Sequence, residues 1–116
     1  MKAIIAGKEI SISLYQTATA EDLMRVLPTG LDFHAFAHEY RAMGRHALNV
    51  AHVPMTSKLA KNSLYYDDRL EALCLMKDDV DITPEKRTCL ARLSAEDVAS
   101  LDGLEQFYVY LDNDEE

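Results

Sequence analysis

The chain has 116 residues, of which 48% are hydrophobic and 28% are charged, and its formal net charge is −8. This size and composition predict one folded domain over residues 1–112, followed by an acidic tail at 113–116. No apolar run reaches the roughly 18 residues that span a bilayer, and no signal peptide is recognisable. We therefore expect a cytoplasmic protein that makes no contact with a membrane.

The negative charge is concentrated in the second half of the chain. Up to Lys61 there are seven basic and five acidic side chains, whereas the remaining residues include five basic and fifteen acidic ones. All four histidines lie in the first half. An asymmetry of this kind suggests a charged partner, although a similar net charge is also common in proteins that only need to stay in solution.

The first elements in chain order are a hairpin and a short helix. Residues 2–6 and 9–15 have the alternation of two strands, and one side of the second strand is apolar. Thr19 is placed to cap a helix that ends before Pro28. We therefore expect a hairpin with one buried face, then a helix over residues 19–27.

The longest predicted helix covers residues 32–52. At 100° per residue, one side of this segment is polar and carries His34, His38, Arg41, Arg45 and His52. The opposite side is apolar, and we expect it to bury Phe33, Phe36, Tyr40 and Met43.

Residues 63–76 fit two different structures. The aromatic pair Tyr65-Tyr66, followed at once by a polar turn, favours a second hairpin, whereas the residues after the turn also suit a helix. Further along, Thr83-Pro84 and Ser94 mark the starts of two helices, and residues 105–111 alternate as a final strand. These elements predict a single α+β domain. Its mostly antiparallel sheet, made of the N-terminal hairpin, the second hairpin and the C-terminal strand, packs with about four helices.

Motifs for catalysis are scarce. The glycines are isolated, so there is no phosphate-binding loop, and Cys74 and Cys89 form no metal-spaced pair and are expected as reduced, buried side chains. His34 and His38 have the i, i+4 spacing of metal ligands on a helix, but no third ligand completes a recognised motif. We expect no enzymatic activity, cofactor or metal. A metal site or an enzyme that uses the His34/His38 face remains an alternative.

Clustered carboxylates at predicted turns and at the C-terminus suggest a binding function. Duplex DNA carries about one negative charge per 1.7 Å of its axis, and a surface of carboxylates can imitate that array and attract a basic protein. The acidic surface predicted to bind the partner comprises Asp67, Asp68, Glu71, Asp78, Asp79, Asp81, Asp112 and Asp114.

The sequence therefore predicts a non-enzymatic acidic binding or inhibitor protein. In one form it is a DNA mimic that occupies the basic site of a nucleoid-associated protein or a nuclease. Direct binding of nucleic acid is not expected, because the acidic surface would repel phosphates. The alternative is an immunity protein or antitoxin that neutralises one cognate toxin through a packed interface.

Overall fold

In the computed structural model, which describes residues 1–44 and 46–114, strands predominate. This part of the chain forms ten strands and two short helices. In chain order they are β1 (Lys2–Ile5), β2 (Lys8–Ser11), α1 (Ala18–Arg25), β3 (Thr29–Ala35), β4 (Glu39–Met43), β5 (Lys58–Leu59), β6 (Ser63–Asp67), β7 (Ala72–Met76), β8 (Val80–Asp81), β9 (Thr88–Arg92), α2 (Ala95–Ala99) and β10 (Gln106–Asp112). Neither helix is long and apolar enough to cross a membrane.

Eight of these strands form one antiparallel sheet in the order β2-β1-β10-β3-β4-β7-β6-β9. The two ends of the sheet meet, because Leu14 forms a bridge with Ala91 of β9 and the Tyr15 amide donates to the Leu90 carbonyl at 2.8 Å. The sheet is therefore curled into a half-barrel with an inner and an outer face. Strands β5 and β8 form a separate two-stranded sheet.

The inner face of the curled sheet is the main hydrophobic core. Phe33 of β3 stacks on Phe107 of β10 with ring centroids 5.4 Å apart, and Tyr40 of β4 meets Phe107 edge-on at 5.2 Å. The Tyr40 hydroxyl donates to the Leu101 carbonyl at 3.1 Å, so this buried polar group is satisfied. An apolar cavity of about 40 Å³ remains inside. Ligand pockets usually have at least about 300 Å³, so the interior is packed core rather than a binding site.

Both helices add apolar side chains to this core. Helix α1 follows Thr17, whose hydroxyl accepts the Ala20 amide at 3.1 Å, and it buries Ala20 and Leu23. Helix α2 follows Ser94, whose hydroxyl accepts a backbone N–H at 3.0 Å, and it buries Val98. Helices this short are marginal in water by themselves, so their packing onto the sheet stabilises them.

A second layer covers part of the outer face. Residues 56–60 and 80–87, here called the covering layer, contain β5 and β8, and Leu59 packs on Tyr65 and Met76 of the sheet. This second small core lies over β7, β6 and β9. The outer side chains of β10 and β3 remain exposed to solvent.

The predicted helix at residues 32–52 is wrong. Its first part forms β3 and β4, joined by a turn at 36–38, and residues 46–52 are not helical; Arg45 lies outside the described residues. Phe33 and Tyr40 are buried, but Phe36 is 46% exposed and Met43 is 61% exposed. Leu31 and Phe33 are also spaced two residues apart, as the buried side chains of a strand are. The segment fits both patterns, and the pairing of β3 with β10 and of β4 with β7 favours strands over a helix.

The predicted helix after Thr83-Pro84 is also wrong, because these residues lie in a turn and the following segment forms β9. The expected early helix is present, but it begins at Ala18 and its cap is Thr17 instead of Thr19. The N-terminal hairpin, the hairpin at 63–76, the helix after Ser94 and the C-terminal strand are all observed. The α+β class with about four helices is nevertheless incorrect, since the described residues form a β-rich half-barrel with two helices.

Candidate functional site

Two tyrosines stand on the uncovered part of the sheet. Tyr108 and Tyr110 alternate along β10 with buried residues, and they are 55% and 36% exposed. The strand register places Tyr108 opposite Asp32 of β3, and Tyr110 lies between Gly30 of β3 and Ile4 of β1. We call this surface the tyrosine face, defined by the outward side chains of Ile4, Asp32, His34, Gln106, Tyr108 and Tyr110.

Gly30 determines how Tyr108 lies on this surface. A Cβ atom at Gly30 would overlap with the hydroxyl group and ring of Tyr108, so the phenol lies directly over the glycine backbone. The absence of a side chain at Gly30 thus lets the ring lean along the sheet. The tyrosine face is therefore a preformed aromatic surface rather than two unrelated exposed rings.

A groove runs along the same surface. It has a volume of about 510 Å³, and its lining includes Ile4, Ala6, Leu104, Tyr108 and Tyr110. The groove is large enough for the side chains of an extended peptide or for a small molecule. Its walls are mainly apolar, so its occupant would be held by contact area and by the aromatic rings.

Carboxylates lie on the tyrosine face and beside it. Glu9 of β2 lies opposite Ile4, Asp32 lies opposite Tyr108, and Glu105 immediately precedes β10; all three are exposed. These carboxylates lie at most two strands from β10, and neighbouring strands are about 4.8 Å apart, so each is within about 10 Å of β10 in the direction across the strands. Lys2 and Lys8 are the basic residues of β1 and β2. The surroundings of the rings are mixed in charge, with an excess of acidic groups.

A buried ion-pair network marks the border between the tyrosine face and the covering layer. Arg87 is 3% exposed, and it donates from Nε to Asp67 at 2.8 Å and from Nη1 to Glu39 at 2.9 Å. Arg41 donates to the other Glu39 oxygen at 2.8 Å, and Arg69 donates to Asp67 at 3.3 Å. We call these five residues the arginine network. It joins β4, β6 and the start of β9 across the outer face of β7.

Arg41 extends this network to the exposed surface. Its guanidinium lies over the ring of Phe36 at 4.3 Å from the ring centroid, in cation–π geometry. Across the strand pair Arg41 lies opposite His34, which belongs to the tyrosine face. Phe36 is thus 46% exposed, and its ring contacts an arginine that Glu39 also holds.

The arginine network lowers the pKa of both of its carboxyl groups. Burial raises the pKa of Glu39, but hydrogen bonds from Arg87 and Arg41 outweigh this effect and leave the pKa below its ordinary value. Burial likewise raises the pKa of Asp67, and hydrogen bonds from Arg87 and the Leu70 amide reverse that effect. Both groups are therefore carboxylates in the folded protein at neutral pH.

We expect this network to make the protein sensitive to acid. A carboxyl group whose pKa is lower in the folded than in the unfolded protein stabilises the fold. This stabilisation is fully present above the pKa of the unfolded state, about 4, and it is lost as the pH falls through the lower pKa of the folded state. Urea unfolding between pH 6 and pH 3 should therefore show a steep loss of stability below about pH 4. The Asp67→Asn variant should show a shallower loss than Asp68→Asn, whose exposed side chain lies outside the network. Equal acid dependence in the two variants would contradict this assignment.

The acidic residues predicted to bind a partner are found in three places. Asp68 and Glu71 are exposed at the turn between β6 and β7, whereas Asp78, Asp79 and Asp81 follow the opposite end of β7. That five-residue strand separates the first two groups by about 17 Å. The third group lies at the end of β10, where Asp112, its last residue, is half-buried and Asp114 pairs with the Met1 amino group at 2.7 Å. Glu115 and Glu116 of the predicted tail lie outside the described residues.

Asp67 does not belong to an acidic surface. It is fully buried, and besides its arginine partners it accepts the backbone N–H groups of Arg69 and Leu70 at 3.0 and 3.1 Å. The predicted exposure of Asp67 is wrong, because a carboxylate at a turn can point inward when a buried arginine compensates its charge, as Arg87 does here. Several other acids also have local partners. The Asp78 carboxylate lies 3.1 Å from His38 Nδ1, and Asp81 accepts the Thr83 hydroxyl at 2.6 Å.

The structure separates the two histidines that the sequence paired. His34 lies on β3 and His38 lies in the β3–β4 turn, so they do not share a helix face. No cluster of three or more potential ligands is found within residues 1–44 and 46–114. Cys74 is fully buried, and burial raises the pKa of its thiol to about 12; Cys89 is half-buried, and burial raises its pKa as well. Neither thiol is placed as an activated nucleophile.

The tyrosine face itself was missed from the sequence. Its signal is present in β10, where tyrosines occupy the polar positions of an otherwise regular alternation with Phe107, Val109 and Leu111. A solvent-facing strand position normally carries a polar or charged side chain, so two large aromatic rings there call for a reason.

The curled antiparallel sheet, its two helices and its partly covered outer face define a small half-barrel domain with an exposed aromatic surface. The chain belongs to the cyclophilin-like family, whose model matches residues 3–106. The match extends from β1 to the first residue of β10, so the rest of β10, with Tyr108 and Tyr110, lies beyond it. No curated protein and no solved structure matches the chain.

Proposed function

We propose that this chain is a non-enzymatic binding protein that captures a basic segment of another protein on its tyrosine face. The proposal depends on one observation: Tyr108 and Tyr110 are exposed to solvent on the uncovered outer face of the sheet, and Asp32 lies opposite Tyr108. Aromatic faces attract lysine and arginine cations, and a neighbouring carboxylate adds charge attraction. The groove beside the rings has room for the apolar stems of such side chains.

The net charge supports the same partner. A charge of −8 attracts basic proteins over long distances, and the acidic groups at both ends of β7 lie outside the proposed contact. Charges of this kind mainly raise the association rate, whereas packed aromatic residues slow dissociation. We therefore assign steering to Asp68, Glu71, Asp78 and Asp79, and affinity to the tyrosine face.

The proposal extends to the class of the basic partner. Nucleic-acid-binding proteins have the most concentrated basic surfaces, so a nucleoid-associated protein or a nuclease is the partner class we propose, with inhibition by mimicry of DNA as one form. Neutralisation of one cognate toxin is the alternative form of the proposal. Mimicry predicts binding that weakens steeply with salt, whereas a cognate toxin complex keeps its affinity at high salt. A cytoplasmic location remains a prediction.

The first experiment measures binding of an extended Arg-Ser repeat peptide by calorimetry, with a Glu-Ser repeat peptide as the negative control. We expect the double variant Tyr108→Ala/Tyr110→Ala to bind the basic peptide about five- to thirtyfold more weakly, since each exposed cation–π contact contributes roughly 0.5–1 kcal/mol. Tyr15→Ala is the matched control, because Tyr15 is 44% exposed but lies away from the tyrosine face. Circular dichroism checks that each variant is folded.

Two results would contradict the proposal. One is an unchanged affinity of the double tyrosine variant for the basic peptide. The other is equal binding of the basic and the acidic peptide, because the carboxylates near the rings should repel the acidic one.

A further inference from the structure

Part of β10 has no strand partner on one of its two sides. Strand β10 pairs with β3 along residues 106–111, but it pairs with β1 only along residues 110–112. Strand β1 ends at Ile5, and the chain turns back there into β2. Residues 106–109 therefore have a free side where β1 would continue, and we call this side the open edge.

The pairing pattern shows which backbone groups point to the open edge. The Ala35 amide donates to the Glu105 carbonyl at 2.8 Å, so Glu105 and every second residue after it bond to β3. Gln106 and Tyr108 lie between these residues, and their N–H and C=O groups therefore point to the open edge. No backbone group of residues 1–44 and 46–114 pairs with them on that side.

Two features keep the open edge accessible. Ala6 and Gly7 have φ values of 52° and 82°, which are typical of a two-residue hairpin turn, so β1 reverses before it reaches the first half of β10. The ring of Tyr108 lies over Gly30 of β3, on the opposite side of β10, and does not cover the open edge. Gln106 and Tyr108 are both exposed to solvent.

The groove of about 510 Å³ lies along the open edge. Residues 4–7 of β1 and its turn line one side, and residues 104, 106–108 and 110 line the other. Tyr108 faces outward, whereas Phe107 belongs to the core face, and both contact the groove. A groove that contacts side chains of both faces lies at a gap between strands, so it offers the space of a missing strand.

Unpaired backbone groups at every second residue of a strand are a template for another extended chain. We propose that the basic segment binds as a short antiparallel strand on the open edge, and this inference rests on the function proposed above. The segment takes the place that β1 leaves beside β10, in the same antiparallel sense. Two of its residues exchange hydrogen bonds with Gln106 and Tyr108. Residues directly opposite each other share a face, so these two side chains lie on the tyrosine face, where Asp32 favours basic ones.

The test uses two N-methylated forms of the Arg-Ser repeat peptide. In the antiparallel arrangement the backbone N–H groups of the arginines donate to the carbonyls of Gln106 and Tyr108, and those of the serines point away from β10. Methylation of every arginine backbone nitrogen should weaken binding about five- to 150-fold, because two hydrogen bonds are lost. Methylation of every serine backbone nitrogen is the matched control and should leave the affinity unchanged.

Amide hydrogen exchange shows where the peptide lies. In the free protein the amides of Gln106 and Tyr108 should exchange rapidly, whereas that of Val109, which bonds to β3, should exchange slowly. At about 90% saturation with the unmodified peptide, exchange of the first two should slow about tenfold. The Glu9 amide is the control, because it lies on the outer side of β2, the last strand of the sheet, and should not change.

The possible results separate this proposal from the one on which it rests. If both methylated peptides bind equally, if serine methylation weakens binding more, or if exchange at Gln106 and Tyr108 does not change, strand addition is overturned and capture by the tyrosine face stands. If the unmodified peptide does not bind, both proposals are overturned. Slow exchange of both amides in the free protein that dilution reverses would show a second copy on the open edge, and it would also overturn strand addition by the basic segment.

Discussion

Replacement of Arg87 by methionine should destabilise the protein by about 3–5 kcal/mol, because it leaves two buried carboxylates without their shared cation. Asp67 is fully buried and Glu39 is 7% exposed, and both accept hydrogen bonds from this one guanidinium. Methionine fills much of the volume of the arginine side chain. The loss of stability therefore reports mainly the missing positive charge beside the two carboxylates. Urea unfolding at neutral pH measures the change in the free energy of unfolding.

Arg69→Met is the matched control for this experiment. Arg69 also contacts Asp67, at 3.3 Å, but the Arg69 side chain is 52% exposed. It also pairs with Glu85, whose side chain is in contact with solvent as well. Ion pairs in contact with solvent usually contribute less than about 1 kcal/mol, so the control should lose little stability. If both variants lost a similar free energy of unfolding, the large contribution expected of Arg87 could not be attributed to its burial.

The second large effect concerns the aromatic core. Phe33→Ala should lower the free energy of unfolding by about 3–5 kcal/mol, because it leaves a cavity against Phe107 and removes a stacked ring pair. The two rings are nearly parallel, with an interplanar angle of 4°. Thermal or urea unfolding gives the magnitude, and the variant should unfold at a clearly lower denaturant concentration.

Phe36→Ala is the control for Phe33→Ala, since the two residues are three positions apart and share the same chemistry. Phe36 is 46% exposed and contacts the Arg41 guanidinium, so its replacement should cost no more than about 1 kcal/mol. A helix over residues 32–52 would have buried both rings on one side and made the two losses similar. A large loss for Phe36→Ala would therefore contradict the strand assignment.

The arginine network also affects how the proposed binding face is presented. Glu39 connects Arg87, the last residue of the covering layer, with Arg41, which lies opposite His34 of the tyrosine face. The buried part of the network therefore holds the partly exposed side chain of Arg41 in place. Loss of Arg87 should consequently disturb both the stability and the border of the proposed site.

Local sequence patterns determined the strands whose alternation was unambiguous. In β10, Phe107, Val109 and Leu111 alternate with outward-facing residues. In residues 63–76 a polar turn after the aromatic pair favoured the hairpin that is observed, although the residues after that turn also suited a helix. Local chemistry also located α2, because Ser94 caps it and acidic residues follow in its first turn. In these segments the interactions that select the structure lie within a few residues of each other.

Only the tertiary structure decided the elements that depend on distant partners. The apolar residues of the 32–52 segment fit a helical stripe, but pairing of β3 with β10 and of β4 with β7 selected strands. Asp67 became buried because Arg87, twenty residues away, reaches it from another strand. The tyrosine face exists because the covering layer stops short of β10 and β3. A single sequence encodes these partners without showing which of them will meet, since the free energy of pairing comes from contacts made only after the chain has folded.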